Sequence, residues 1–381
     1  MFLGVSLRIW KNKMQVLVTG SRGFIGKNLI VHLDECKGFS TLSFTRKDSF
    51  NILSEYVNQS DVIVHLAGVN RPDNDLEFST VNVELTSAIC DLIKKTGKKI
   101  PLILASSIQV GLDNSYGKSK HKAEVIVEKF SIETGNPVVI YQLPGVFGKW
   151  CKPNYNSVVA TFCHNIANNL PIKINNSSTV LRLTYIDDVV NEIIRLLQNK
   201  VNGFSRLSVE PEYSISLGML GEQIKSFKNS RTSLISDSVG TGLIRALYST
   251  YVSYLSPDNF SYMLPENIDE RGKFVEVLKT TNCGQFSFFT AHPGITRGGH
   301  YHHTKTEKFL VIKGSAHFKF RNIATNETHE IFTSEDEFWV VETVPGWTHD
   351  ITNIGSIEMI VILWANEIFN SQLPDTISCE V

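Results

Sequence analysis

MQVLVTGSRGFIGKNLIVHLDEC, residues 14–36, is the stretch from which the fold can be read. Met14 to Gly20 is a short apolar run ending in glycine, and from Phe24 the apolar residues recur at helical spacing. Between them stands Thr19-Gly20-Ser21-Arg22-Gly23-Phe24-Ile25-Gly26. The three glycines of that turn act differently. Gly20 permits the tight turn, Gly23 lets backbone approach a pyrophosphate, and Gly26 lets the helix pack on the sheet. The start of the helix then offers free N–H groups to the phosphates. Strand, glycine turn and helix in this order predict a dinucleotide site formed by Gly20, Arg22, Gly23, Phe24, Ile25 and Gly26.

Outward from this unit the alternation continues. TLSFTRK (41–47), DVIVHLAG (61–68), PLILASS (101–107) and NPVVIYQLPG (136–145) repeat the strand pattern. Helical stretches such as 78–97 and 116–130 lie between them. Alternating strands and helices predict an α/β doubly wound parallel sheet of the Rossmann type. After about residue 250 the texture changes to short β-rich runs, among them GQFSFFT, KFLVIKG, SAHFKFR, EFWVVE and IEMIVILWAN, separated by turn residues. These predict an all-β sandwich or barrel. SPDN, near Leu255–Asn259, marks the expected break, giving domains 1–256 and 257–381.

Composition narrows the function. With 37 Lys and Arg against 38 Asp and Glu, the net charge of -1 gives no reason to propose nucleic acid or an anionic membrane as the partner. A 42% hydrophobic, 20% charged chain is an ordinary globular mix, not a disordered or coiled-coil one. No apolar run approaches the roughly 18 residues that cross a bilayer. The N-terminal MFLGVSLRIW lacks a following small-residue cleavage site and reads as an extension, with Met14 opening the folded part. Cys36, Cys90, Cys151, Cys163, Cys283 and Cys379 form no CxxC pair, which predicts a reducing, cytoplasmic compartment.

The second strand ends in Thr45-Arg46-Lys47. A carboxylate there would hold the ribose 2′-hydroxyl of NAD; the cations Arg46 and Lys47 instead suit a 2′-phosphate, predicting NADPH. The alternative is that both are solvated surface charges. Tyr116 and Lys120, four residues apart at the start of a helix, share a face. Lys120 can lower the phenol pKa and bind the nicotinamide ribose, Tyr116 can exchange a proton with a substrate oxygen, and Ser107 can hydrogen-bond that oxygen.

TGSRGFIG, HLAG, SSIQV and YGKSK resemble the extended short-chain dehydrogenase/reductases that act on nucleotide sugars, over about residues 14–250. The resemblance implies Ser107, Tyr116 and Lys120 as the catalytic triad and places Leu66 and Ala67 of HLAG at the cofactor. LPGVFG (143–148) resembles the family's substrate-facing loop, and Arg182 an arginine that contacts the diphosphate. A structural ion pair of Arg182 with Asp187 or Asp188 is the competing reading. Two departures stand out: the loop from Ser107 to Tyr116 is short, and Ile108 and Gln109 occupy the positions where sugar dehydratases carry an acidic pair. Without that pair, elimination of water has no evident catalyst, so plain ketone reduction is expected.

In GITRGGHYHHTKTEKFLVIKG (294–314), His300 and His302 alternate on a strand and point to one face. Glu307 begins the next strand, and His349 in PGWTHDITN (345–353) can complete the set. Three imidazoles and a carboxylate suit Zn, Fe, Mn or Ni. His303 and His317 lack such company and read as structural. The pattern resembles the cupin family, implying a jelly roll over about residues 258–381. DERGKFVE (269–276) and RGGHY (297–301) are also similar to the deoxysugar-nucleotide 3,5-epimerases, which are metal-free cupins. That likeness implies His300 as base, Lys308 as enolate stabiliser, Arg271 on the nucleotide phosphates and Arg297 on the substrate. His300 cannot readily be both free base and ligand; His302, Glu307 and His349 favour ligand, and the base stays unassigned.

The whole-chain order, reductase then epimerase-like metal cupin, resembles the bifunctional enzymes of capsular polysaccharide and O-antigen synthesis. It implies a UDP-2-acetamido-2,6-dideoxy-hexos-4-ulose substrate, epimerised at C3 and reduced at C4 with NADPH. The implied product is UDP-2-acetamido-2,6-dideoxy-L-talose, on the route to UDP-N-acetyl-L-fucosamine. One divalent metal, Zn foremost, and a homodimer come with the resemblance. The alternatives are a cupin acting as isomerase, dioxygenase or ligand sensor.

Overall fold

A computed structural model describes residues 13–381 apart from 73, 200, 265–266, 270–271, 275–277, 281–283 and 368–371. The expected N-terminal extension and Arg271 lie outside the described residues. Contacts divide the chain into two compact units, one up to Val146 together with Ile186–Glu212, the other Phe147–Tyr185 together with Tyr213–Val381.

In the first unit β1 (Met14–Thr19), β2 (Phe39–Phe44), β3 (Val62–His65), β4 (Leu102–Ser107), β5 (Val138–Leu143) and the strand Phe204–Leu207 form one parallel sheet. The order is β2-β1-β3-β4-β5, with Phe204–Leu207 at the edge. Helices α1 (Phe24–Glu35), α2 (Phe50–Gln59), α3 (Leu85–Thr96) and α4 (Ser115–Thr134) connect the strands. Val16, Leu17 and Val18 are buried in succession, as a parallel strand covered on both faces requires. Leu53 and Val57 of α2, Ile89 and Ile93 of α3, and Ala123 and Val127 of α4 close over Leu17, Ile63, Leu102 and Leu104 in one core. Strand order reverses across β1 and β3, so the ends of these strands open a crevice suited to a nucleotide. The helix expected from residue 78 begins as a π-helical stretch, Phe78–Glu84, before α3.

The second unit carries two antiparallel five-stranded sheets. One runs Ser261–Met263, Trp339–Glu342, Glu307–Lys313, Met359–Ala365, Gln285–Ala291; the other runs Thr328–Ser334, Ser315–Asn322, Trp347–Asn353, Thr296–Tyr301, Ile377–Ser378. Ala316, Phe318 and Phe320 alternate inward along their strand, and Phe318 meets Phe309 of the other sheet at 5.7 Å between ring centroids. Phe260 packs edge-on against Trp347 at 4.9 Å, an arrangement worth about 1 kcal/mol beyond its buried area. The doubly wound sheet followed by a double-layered β structure is the predicted fold class.

Helices Val158–Ala167, Leu217–Ser233 and Gly242–Val252 also belong to the second unit. Contacts therefore divide the chain elsewhere than the change of texture near residue 257, where a short 3₁₀ turn, Pro257–Asn259, stands. The reason is visible in Arg231 and Tyr248, which leave those helices to bond Glu342 of the β structure. Among the described residues, no helix is long and apolar enough to cross a membrane.

Candidate active sites

The cofactor crevice is built from backbone. Gly20 has φ +68°, and a Cβ there would lie 2.7 Å from the Ala67 nitrogen. A Cβ on Gly26 would lie 2.4 Å from the Gly20 carbonyl oxygen. Neither position accepts a side chain, so the turn, α1 and the Leu66–Ala67 loop lie on one another. Leu66 N–H donates to the Thr19 carbonyl at 3.2 Å, and Gly20 N–H donates to that of Phe44 at 3.0 Å. The ends of β1, β2 and β3 are thus tied together. Gly23 caps α1 with no side-chain partner, leaving the first turn, with Phe24 and Ile25, to receive an anion. Arg22, Arg46 and Lys47 are exposed at this same end, Arg46 and Lys47 just past β2. The adjacent carboxylate, Asp48, accepts from the Thr45 hydroxyl at 2.8 Å and its N–H at 2.7 Å, which holds its pKa below the ordinary value. It is thereby occupied by its own turn.

Ser107 ends β4, and Tyr116 lies in the first turn of α4, which Asn114 caps by accepting from Gly117 N–H at 2.7 Å. Lys120, one turn on, is buried and donates to the Ala105 carbonyl at 2.6 Å. Burial pulls its pKa down to about 8, against the pull of Glu124. Burial also raises the Tyr116 phenol, with a hydrogen bond from Ser107 opposing the shift. The expected lowering of the phenol is therefore not what the structure has: Tyr116 is a protonated phenol at neutral pH, fit to donate. Ile108 and Gln109 follow in a short 3₁₀ turn, Ile108–Gly111.

Three buried polar residues outside the expected set of site residues hold this geometry. Asn82 donates to the Ser119 hydroxyl at 2.9 Å and the Val69 carbonyl at 3.0 Å, and accepts from Val69 N–H at 2.8 Å. It fastens the loop after β3 to α4. His65 bridges Thr19 at 2.7 Å and Thr86 at 2.9 Å, and burial holds it neutral, at about 3. Glu124 accepts twice from Gln142 and once from Ser106. Arg182 is exposed on the strand Val180–Tyr185 of the second unit.

In the β structure the second constellation assembles. Gly298 has φ +107°, and a Cβ there would lie 2.8 Å from the His349 carbonyl oxygen. The register shift at this bulge sets His300 opposite His349. The strand ends at Tyr301, one residue before His302. Ring centroids stand 4.9 Å apart for His300 and His302, 4.7 Å for His300 and His349, and 5.4 Å for His302 and His349. Glu307 Oε2 lies 3.2 Å from His302 Nε2 and 3.6 Å from His349 Nε2. One potential ligand atom from each of the four residues lies within 4.8 Å of all the others.

Two donors each ~2.1 Å from a shared tetrahedral ion sit ~3.4 Å apart, so these spacings fit one cation. The buried His349 Nε2 has no hydrogen-bond partner, a costly state that a metal bond offsets. Burial, with His349 and His302 beside it, lowers His300 to about 4, and burial lowers His349 as well. Burial opposes ionisation of Glu307, and the His302 and His349 imidazoles beside it outweigh burial, so its carboxyl stays ionised. Neutral imidazoles and a carboxylate are the forms that bind metal. The residues present thus fit the expected divalent ion. His300, Glu307 and His349 line a cavity of about 210 Å³ together with Phe309, Phe318 and Arg297, whose guanidinium lies 5.3 Å over Phe289.

Lys308 is not brought to this cavity, which corrects the role expected of it. Along a strand, Glu307 and Phe309 face the cavity and Lys308 faces away. Its ammonium is buried against Glu342, which also binds Arg231 and the Tyr248 hydroxyl. Burial works against its charge, and Glu342 outweighs burial, so its pKa is raised. His317 stacks on Phe332 at 4.2 Å and meets Glu330, and His303 packs edge-on to Tyr301.

Known proteins match this two-part organisation. Residues 16–209 match the NAD dependent epimerase/dehydratase family, and residues 267–377 match the polysaccharide biosynthesis C-terminal domain. A UDP-2-acetamido-2,6-beta-L-arabino-hexul-4-ose reductase from Pseudomonas aeruginosa is 56% identical over 97% of this chain and 99% of its own. The crystal structure of the capsular polysaccharide assembling protein CapF from Staphylococcus aureus matches with TM-score 0.65 and 40% identity, over 97% of this chain and all of that one. A GDP-6-deoxy-D-talose 4-dehydrogenase from Aggregatibacter actinomycetemcomitans is 27% identical over 49% of this chain and 71% of its own.

Proposed function

The chain belongs to the NAD dependent epimerase/dehydratase family, and from that premise we propose that it reduces a UDP-linked 4-keto-6-deoxy amino sugar with NADPH after inverting the carbon beside the ketone. The observation that carries the reductive half is a half-buried, protonated phenol beside Lys120 and Ser107, in the domain with the glycine crevice. The Pseudomonas relative, named for a keto-sugar reductase and matched almost end to end, supports the substrate class. Cytoplasmic placement follows from a nucleotide-sugar substrate.

Bound NADPH supplies hydride to the C4 carbon, and a bound divalent ion, Zn foremost, supplies Lewis acidity that acidifies the neighbouring C–H. The remaining work belongs to side chains. Tyr116 gives its proton to the C4 oxygen, Ser107 orients that oxygen, and Lys120 replenishes the phenol and holds the nicotinamide ribose. His300, His302, Glu307 and His349 would hold the ion, and Arg297 lies where a substrate anion would meet the cavity. Arg271 and Arg182 are proposed for the nucleotide phosphates on family likeness. Reduction removes the acidity on which inversion depends, so it fixes the new stereocentre as UDP-2-acetamido-2,6-dideoxy-L-talose. The direct test is NADPH consumption with a UDP-4-keto-6-deoxy sugar; absence of turnover would leave a binding protein.

Two expected outcomes follow from the reductase half. Arg46→Ala weakens NADPH by about 10- to 100-fold, the loss of one charge-assisted phosphate contact. NADH binding, read by the same fluorescence titration, hardly changes. An equal loss for both cofactors would place the 2′-phosphate elsewhere. The rate of reduction falls as pH rises past about 8, where Lys120 loses its proton. A flat profile up to the ordinary tyrosine range, about pH 10, would remove Lys120 from the relay.

A further inference from the structure

We propose that the segment from Leu373 to Val381 is a strap that positions the metal-binding histidines, with Asp375 as its anchor and His302 as its direct target. The inference rests on the reading of His300, His302, Glu307 and His349 as a metal centre.

Asp375 makes two kinds of contact. Its main-chain carbonyl accepts from His302 Nδ1. Its carboxylate accepts from three successive backbone N–H groups, those of His303 at 2.9 Å, Thr304 at 2.7 Å and Lys305 at 2.6 Å, and from the Thr304 hydroxyl at 2.9 Å. Consecutive N–H groups converging on one anion form a backbone nest, here filled by the chain's own carboxylate. The nest lies in the loop joining two candidate ligands, His302 and Glu307. Fastening that loop fixes how far apart the two ligands stand.

The remainder of the strap reaches the other two histidines. Ile377–Ser378 pairs with the strand Thr296–Tyr301, Ser378 lying opposite His300. Cys379 N–H donates to the Gly299 carbonyl at 2.9 Å, beside His300. The Thr348 hydroxyl, beside His349, donates to the Cys379 carbonyl. Arg321 holds the Glu380 carbonyl. One short segment thus touches the backbone at His300, the side chain beside His349 and the ring of His302.

The consequence is chemical. A hydrogen bond from Nδ1–H to a carbonyl fixes the tautomer of a histidine and leaves the Nε2 lone pair free. In His302 that nitrogen faces Glu307 at 3.2 Å. Without the strap, the ring can flip or exchange tautomers, and its readiness to bind a cation is lost. Loss of such an outer partner lowers metal affinity by about 10- to 100-fold.

The test uses the full chain, Zn²⁺ alone as probe, and two readouts. Zn²⁺ affinity is measured by chelator competition, and the His302 tautomer by ¹⁵N chemical shifts of the metal-free protein. Asp375→Ala is expected to weaken Zn²⁺ by at least 10-fold and to mix the His302 tautomers. Asp375→Asn, which keeps one acceptor oxygen, is expected to fall between and serves if the alanine variant does not fold. Wild-type affinity with an unchanged tautomer in a folded variant would overturn the strap. A wild-type chain that binds no Zn²⁺ yet shows the fixed tautomer, lost in Asp375→Asn, would instead overturn the metal reading and leave the strap standing.

Discussion

Tyr116→Phe is expected to reduce NADPH oxidation by about 10³-fold or more while deuterium exchange at the carbon beside the ketone persists. The substitution removes a single oxygen. The ring that packs 6.1 Å from Phe78 is retained, so the fold is expected to hold. Loss of a positioned proton donor costs typically 10²- to 10⁴-fold, and no carboxylate stands at Ile108 or Gln109 to replace it. On the proposed function, exchange at the neighbouring carbon depends on the histidine centre and has no use for the phenol. Steady-state NADPH absorbance and proton NMR in heavy water read the two reactions separately. Loss of both in Tyr116→Phe would contradict two distinct chemistries.

His349→Ala has the second large effect. It removes one of the four candidate ligands and leaves a void beside Phe309 and Phe320, whose rings lie 6.2 and 6.3 Å from the imidazole. Elemental analysis is expected to show metal falling from about one ion per chain to a small fraction. Calorimetry is expected to show a lower Tm for the β-rich half. The void alone costs about 2–4 kcal/mol by analogy with large-to-small core substitutions. Chelator-treated wild type separates the two causes, because it loses the ion and keeps the packing. Unchanged metal content in the variant would remove His349 from the ligand set.

What is legible in the sequence is what is local in it. The glycine turn, the Tyr116–Lys120 pair and the strand carrying His300 depend on residues within one or two turns of each other. Glu307 and His349 are within reach because strand alternation returns them to the same face. The expectation for Lys308 follows a metal-free family and runs against that same alternation: with Glu307 facing the cavity, the next residue must face away. Unit boundaries are hidden for a different reason. Arg231 and Glu342 are 111 residues apart, and their bond draws a helix to the β structure across the change of texture. Asn82 and Asp375 are equally invisible, since their partners Ser119 and His302 lie 37 and 73 residues away. Long-range polar partners of this kind leave no periodic trace.

The coupling of inversion to reduction is tested most directly by making product from a UDP-4-keto-6-deoxy amino sugar with NADPH in heavy water and examining it by NMR. One deuterium at C3, with protium from the cofactor at C4, is the predicted result. A reduced sugar carrying no deuterium at C3 would contradict it.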